Sequence, residues 1–79
     1  MPSWFEFLRI EADLAMTFID TARVHRSPAN SARSLGNARA ALAEIQGSLM
    51  KPTIRGLSEN EVRFLEQRCV EIELAFTMV

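Results

Sequence analysis

Hydrophobic residues recur along this chain with the three-four spacing of α-helices. The first stripe is strict and consists of Phe5, Leu8, Ala12, Ala15, Ile19 and Ala22. Two further stripes follow, Leu35, Ala38, Leu42, Ile45 and Leu49, and then Val62, Leu65, Cys69, Ile72 and Phe76. No useful length of the sequence alternates with period two, so we expect no β-strand.

Each stripe is bounded by residues typical of helix ends. Serine is a favoured N-cap, and it precedes the three stripes at Ser3, Ser27 and Ser58. Weak helix formers after Ser27 leave open a start of the second helix nearer Gly36. The pattern predicts helices over about residues 3–25, 28–50 and 58–77.

Three helices of this size joined by short connections predict an all-α fold. A helix of about 20 residues is about 30 Å long, and short connections place successive helices antiparallel. We therefore expect one domain over residues 1–79, an antiparallel up-down-up three-helix bundle.

Composition and charge exclude several classes of function. The 79 residues are 48% hydrophobic and 24% charged with a net charge of −1, so nucleic acid is not an expected partner. One Cys and one His exclude an internal disulfide and a zinc site built from those ligands. There is no apolar run of about 20 residues and no signal-peptide pattern, so we predict no membrane association and a cytoplasmic location.

The sequence contains no pattern typical of catalysis or cofactor binding. Cys69 belongs to the third stripe and is predicted to be a small buried apolar residue. His25 stands at the C-terminal end of the first helix, where the helix dipole favours a cation. The Glu-x-x-His spacing of helical di-metal sites does not occur. We therefore predict a protein that is not an enzyme, with no catalytic residue, no metal and no cofactor.

Residues 21–43 are basic, with a charge of +4, whereas residues 1–20 and 59–79 carry −3 each. The charge comes from Arg23, Arg26, Arg33 and Arg39. One interpretation is charge balance within the bundle. The other is a small regulatory protein that binds an anionic ligand or nucleic acid, because the planar guanidinium group suits anion recognition.

The first helix carries more large apolar side chains than one stripe accounts for. The surplus consists of Trp4, Phe7, Ile10, Leu14 and Phe18. A contiguous apolar surface usually marks an interface, so we predict a protein–protein interaction module that forms a dimer or other homo-oligomer, or docks a partner protein. A groove for a partner helix and a wider monomer core are the other interpretations.

Residues 36–49 resemble the second helix of a tetratricopeptide repeat. Gly36, Ala41, Ser48 and Leu49 fall on matching positions, and the first predicted helix could form the other half of the pair. Such a pair followed by a third helix is similar in architecture to the microtubule-interacting-and-trafficking (MIT) domain. The resemblance implies that grooves between the helices bind partner helices, and it assigns no role to individual residues.

Overall fold

The computed structural model describes residues 3–79 and contains three α-helices in this range: α1 (Trp4–Val24), α2 (Pro28–Leu49) and α3 (Glu59–Thr77). Every helix end lies within one residue of its predicted position. α2 begins at Pro28 rather than near Gly36, because Ser27 Oγ accepts a hydrogen bond from Asn30 N at 3.4 Å. No strand occurs among the described residues.

The three helices alternate in direction. At the turn between α1 and α2, the hydroxyl of Ser31 donates to the carbonyl oxygen of Ala22 at 3.0 Å. α3 runs parallel to α1. Two contacts show this: Phe5 packs on Phe64 near the start of both helices, and Asp13 pairs with Arg68 further along both. This confirms the all-α, antiparallel up-down-up three-helix bundle.

The hydrophobic core is built from all three helices and follows the predicted stripes of α1 and α3. Its members include Leu8, Ala12, Ala15 and Ile19 of α1, Ala38, Ala41 and Ile45 of α2, and Leu65, Cys69, Ile72 and Ala75 of α3. The five largest fully buried side chains are Leu8, Ile19, Ile45, Leu65 and Ile72.

The buried face of α2 is rotated relative to the prediction. Ala38 and Ile45 are fully buried as predicted, but the other buried residues are Ser34, Ala41 and Ser48. The predicted stripe members Leu35, Leu42 and Leu49 are only partly buried against the core. The distance between packed helices depends on the side chains at the contact, and small side chains allow closer packing. A stripe drawn mainly through the leucines therefore lies to one side of the buried face.

The linker of residues 50–58 forms a hydrogen-bonded turn. Gly56 has φ 67°, its N–H donates to the Thr53 carbonyl at 3.2 Å, and the Leu57 N–H donates to the Pro52 carbonyl at 3.0 Å. These two bonds and the left-handed glycine form a Schellman motif. At its end, Ser58 and Glu61 bond each other's backbone N–H groups in a capping box that begins α3.

Candidate interaction surface

Four of the five predicted interface residues of α1 are exposed. The exposed fraction is 37% for Trp4, 41% for Phe7, 48% for Ile10 and 42% for Leu14. Phe18 differs, because it is partly buried and packs against the core. It precedes Ile19, a fully buried residue, and so lies at the border between the core and this surface.

The exposed residues belong to a second three-four row on α1. We call this row the outer seam; its members are Phe7, Ile10, Leu14, Thr17, Thr21 and Val24. None of these residues is charged. Thr21 is partly buried, and the other five are exposed. The side chains of α1 that meet α3, including Phe5 and Asp13, lie outside the outer seam. The row has the spacing of a coiled-coil seam, which packs against another helix.

Trp4 forms an ordered aromatic end to this surface. Its ring makes an edge-to-face contact with Phe7 at a centroid distance of 5.5 Å. The other contact comes from the linker, where Cζ of Arg55 lies 3.9 Å from the centroid of the Trp4 ring. These contacts hold Trp4 in place while leaving more than a third of its surface exposed.

A chain of ion pairs connects α1 to α3. Arg9 pairs with Glu6 at 2.8 Å and with Asp13 at 3.7 Å, and Arg68 pairs with Asp13 and Glu71 at 2.9 Å each. The hydrogen bond from Arg9 to Glu6 and the charge of Glu6 raise the pKa of the Arg9 guanidinium. The sequence analysis did not predict this network. Its pairs within one helix, Arg9 with Glu6 and Asp13 and Arg68 with Glu71, have the three-four spacing of helix ion pairs.

An open cavity of about 410 Å³ lies beside this network. Its lining consists of Arg9, Asp13, Phe64, Gln67, Arg68 and Glu71. Both arginines in the lining are already bonded to carboxylates of the same chain. We therefore interpret the charges of this cavity as part of the contact between α1 and α3.

The four arginines of the basic segment are spread over α1, the following turn and α2. Arg23 pairs with Asp20 at 3.7 Å, and Cζ of Arg39 lies 5.3 Å from the centroid of the Phe76 ring. Arg26 lies in the turn, and Arg33 is exposed on α2. Arg33 and Arg39 are six residues apart, which places them roughly 120° apart around the helix.

The single cysteine and the single histidine occupy the positions expected of them. Cys69 is buried, and this burial, followed by the charges of Glu73 and Glu66, raises the pKa of its thiol. His25 is the C-cap of α1, where its backbone N–H donates to the Thr21 carbonyl at 3.2 Å. Within residues 3–79, no three His, Cys, Asp or Glu side chains are grouped so that they could hold a metal ion.

Comparisons with known proteins identify no relative. No family model, curated protein or solved structure matches this chain. For the part of the chain that the structure describes, none of the helices is both long enough and apolar enough to cross a membrane.

Proposed function

We propose that this protein is a non-enzymatic, cytoplasmic interaction module that binds a protein surface through the outer seam of α1 and Trp4. The supporting observation is the row of Phe7, Ile10 and Leu14, each more than 40% exposed on a face of α1 without charge. Depletion of charged residues and enrichment of aromatic residues characterise the centre of protein interfaces.

The size of the exposed apolar surface supports this proposal. A large apolar or aromatic side chain has an area of about 200 Å², so four such residues at about 40% exposure present roughly 300 Å². The largest apolar patch of a monomer is roughly 300–600 Å² and is often functional. Trp4 and Phe7 add the ordered aromatic anchors that carry much of the binding energy at interfaces.

A helix is the type of partner that the outer seam favours. Large apolar residues repeat on it at three and four positions, the register that a packed helix follows. The resemblance to the MIT domain also implies binding of a helix, but in a groove between helices rather than on the exposed face of one helix. That resemblance remains a prediction.

A matched pair of substitutions tests the proposal. Ile10 on the outer seam and Val70 on α3 are β-branched and exposed to 48% and 50%. Ile10→Glu is expected to abolish self-association and to reduce binding of a hydrophobic dye, whereas Val70→Glu changes neither. Light scattering and dye fluorescence are the measurements. A strictly monomeric wild-type protein that also binds no dye would contradict the proposal.

Binding of an anionic ligand or nucleic acid through the arginines is the alternative function. Arg26 and Arg33 are exposed, whereas Arg23 and Arg39 each have a partner in this chain. If this alternative holds, binding of a single-stranded DNA probe falls steeply with salt and is lost in the Arg26→Gln, Arg33→Gln double variant. A flat salt response, or no binding at low salt, excludes it.

A further inference from the structure

We propose that the outer seam of α1 is covered by α2 of a second copy of this chain, in a two-fold dimer in which each copy contributes both helices. This inference rests on the proposed function and names its partner. Three observations carry it: an unusual face of α2, the distribution of charge beside the outer seam, and the area that the two helices offer together.

One exposed row of α2 consists entirely of alanine and glycine. We call it the small-residue face; its members are Ala29, Ala32, Gly36, Ala40, Ala43 and Gly47, all exposed and spaced three or four apart. A Cβ atom built on Gly36 or Gly47 would meet no atom within 4 Å. Glycine inside a helix costs about 1 kcal/mol relative to alanine, and the packing of this chain does not require it at either position.

The sizes of the side chains on the two surfaces are complementary. The outer seam presents Phe7, Ile10 and Leu14, which project from α1. The small-residue face offers no side chain larger than a methyl group, so a helix can approach its backbone closely. Helices pack at 8–10 Å depending on the side chains at their contact, and large residues on one helix fit best against small residues on the other.

The charge distribution favours α2 over α1 as the helix that covers the outer seam. Along one edge of the seam, Glu6, Asp13 and Asp20 each directly precede a seam residue, and their ion-pair partners Arg9 and Arg23 precede two others. Side chains beside a helical seam meet those of the opposing helix. Because α1 carries four acidic residues and two arginines, two copies of α1 would bring helices of like net charge together. α2 carries Arg33 and Arg39 beside its small-residue face and a single acidic residue, Glu44. A contact between α1 and α2 therefore pairs unlike charges.

The area of two helices approaches that of a stable interface. α1 has 21 residues and α2 has 22. At a length of about 30 Å and a width of about 10 Å each, the two helices offer roughly 600 Å² of projected surface per copy. Stable interfaces bury about 800 Å² per partner. In a two-fold dimer, α1 of each copy packs on α2 of the other copy. Each copy therefore buries both its outer seam and its small-residue face.

Sedimentation velocity over a concentration series tests this inference on the full chain. The wild-type protein is expected to form a dimer, Ala40→Glu to raise its dissociation constant at least tenfold, and Ala40→Ser to leave it within about twofold. Ala40 is exposed in the monomer, so both variants should fold, which circular dichroism verifies. Val70→Glu controls for an added carboxylate on another helix.

The outcomes separate this inference from the proposed function. If Ile10→Glu abolishes the dimer and Ala40→Glu does not, the assignment to α2 is overturned while the interaction through α1 stands. If the wild-type protein is monomeric at every concentration but binds dye in an Ile10-dependent way, the second copy is excluded as the partner. If neither dimer nor dye binding is observed, both proposals fail.

Discussion

Arg68 on α3 donates a hydrogen bond of 2.9 Å to Asp13 on α1, and the same guanidinium group holds Glu71 at 2.9 Å. The side chain of Arg68 is only 22% exposed, less than any other arginine in the ion pairs of the described residues. This contact joins two helices that are not consecutive in the chain.

We expect Asp13→Asn to lower the free energy of unfolding by about 1 kcal/mol or less, because the carboxylate of this pair is well exposed to solvent. For a domain of this size, such a loss lowers the melting temperature by a few degrees. A double-mutant cycle with Arg68→Gln isolates the coupling between the two side chains. Glu59→Gln is the control, since the Glu59–Arg63 pair is far more exposed and lies within one helix. Coupling of zero between Asp13 and Arg68 would show that the bridge contributes nothing to stability.

The same contact shows which parts of the structure the sequence could predict. The pairs within one helix, including Arg68 with Glu71, follow from spacing alone, because residues three or four apart share a helix face. The Asp13–Arg68 pair depends on the offset between α1 and α3. That offset results from the packing of side chains from all three helices, which periodicity does not encode.

The position of each helix could be predicted, but the buried face of α2 could be predicted only in part. Serine caps and Pro28 determine where the helices begin, and these signals are local. The burial of Ser34 and Ser48 follows instead from the close approach of small side chains. For the candidate interface, Phe7, Ile10 and Leu14 could be found because apolar residues exceeded one stripe. The outer seam itself continues through Thr17 and Thr21, which hydrophobicity does not reveal.

Two substitutions in α2 test the rotation of its buried face. Ile45 is fully buried and Leu42 only partly, although both belong to the stripe predicted from sequence. We expect Ile45→Ala to lower the free energy of unfolding by about 2–5 kcal/mol and Leu42→Ala to cost clearly less. Denaturant titration measures both. Equal losses would mean that the large residues define the buried face after all.

The buried thiol predicts how stability depends on alkaline pH. Burial raises the pKa of Cys69 above its ordinary value of 9.0, so the folded protein holds this proton more tightly than the unfolded chain. The protonated thiol contributes fully to the stability of the fold below the pKa that Cys69 has in the unfolded chain, about 9. This contribution is lost as the pH rises through the pKa that Cys69 has in the folded protein. The wild-type protein should therefore lose stability relative to Cys69→Ala as the pH rises above about 9. Parallel curves of stability against pH for the two proteins would contradict this prediction.

Burial also protects the thiol of Cys69 from reagents. A thiol reagent should therefore react slowly with Cys69 until the chain unfolds.

Trp4 is the single tryptophan of the chain, so its fluorescence reports the contact with the linker. Arg55→Ala removes the cation above the ring, and we expect a red-shifted emission and a loss of about 0.5–1 kcal/mol in the free energy of unfolding. Arg55→Lys should retain part of the effect. Arg63→Ala removes an exposed arginine from α3 and should leave the emission unchanged. An unchanged spectrum in Arg55→Ala would show that the linker does not rest on Trp4 in solution.

Substitution by alanine is expected to stabilise the protein at two of its glycines and to destabilise it at the third. Gly36 and Gly47 lie inside α2 with free space around a Cβ atom, so alanine should stabilise the monomer by up to about 1 kcal/mol at each position. Gly56 has φ 67°, a conformation that costs alanine about 1–2 kcal/mol. Thermal unfolding at low protein concentration, where the monomer dominates, measures all three variants. A destabilised Gly36→Ala monomer would mean that α2 packs against another part of its own chain at this position, and the small-residue face would then not be free to meet a second copy.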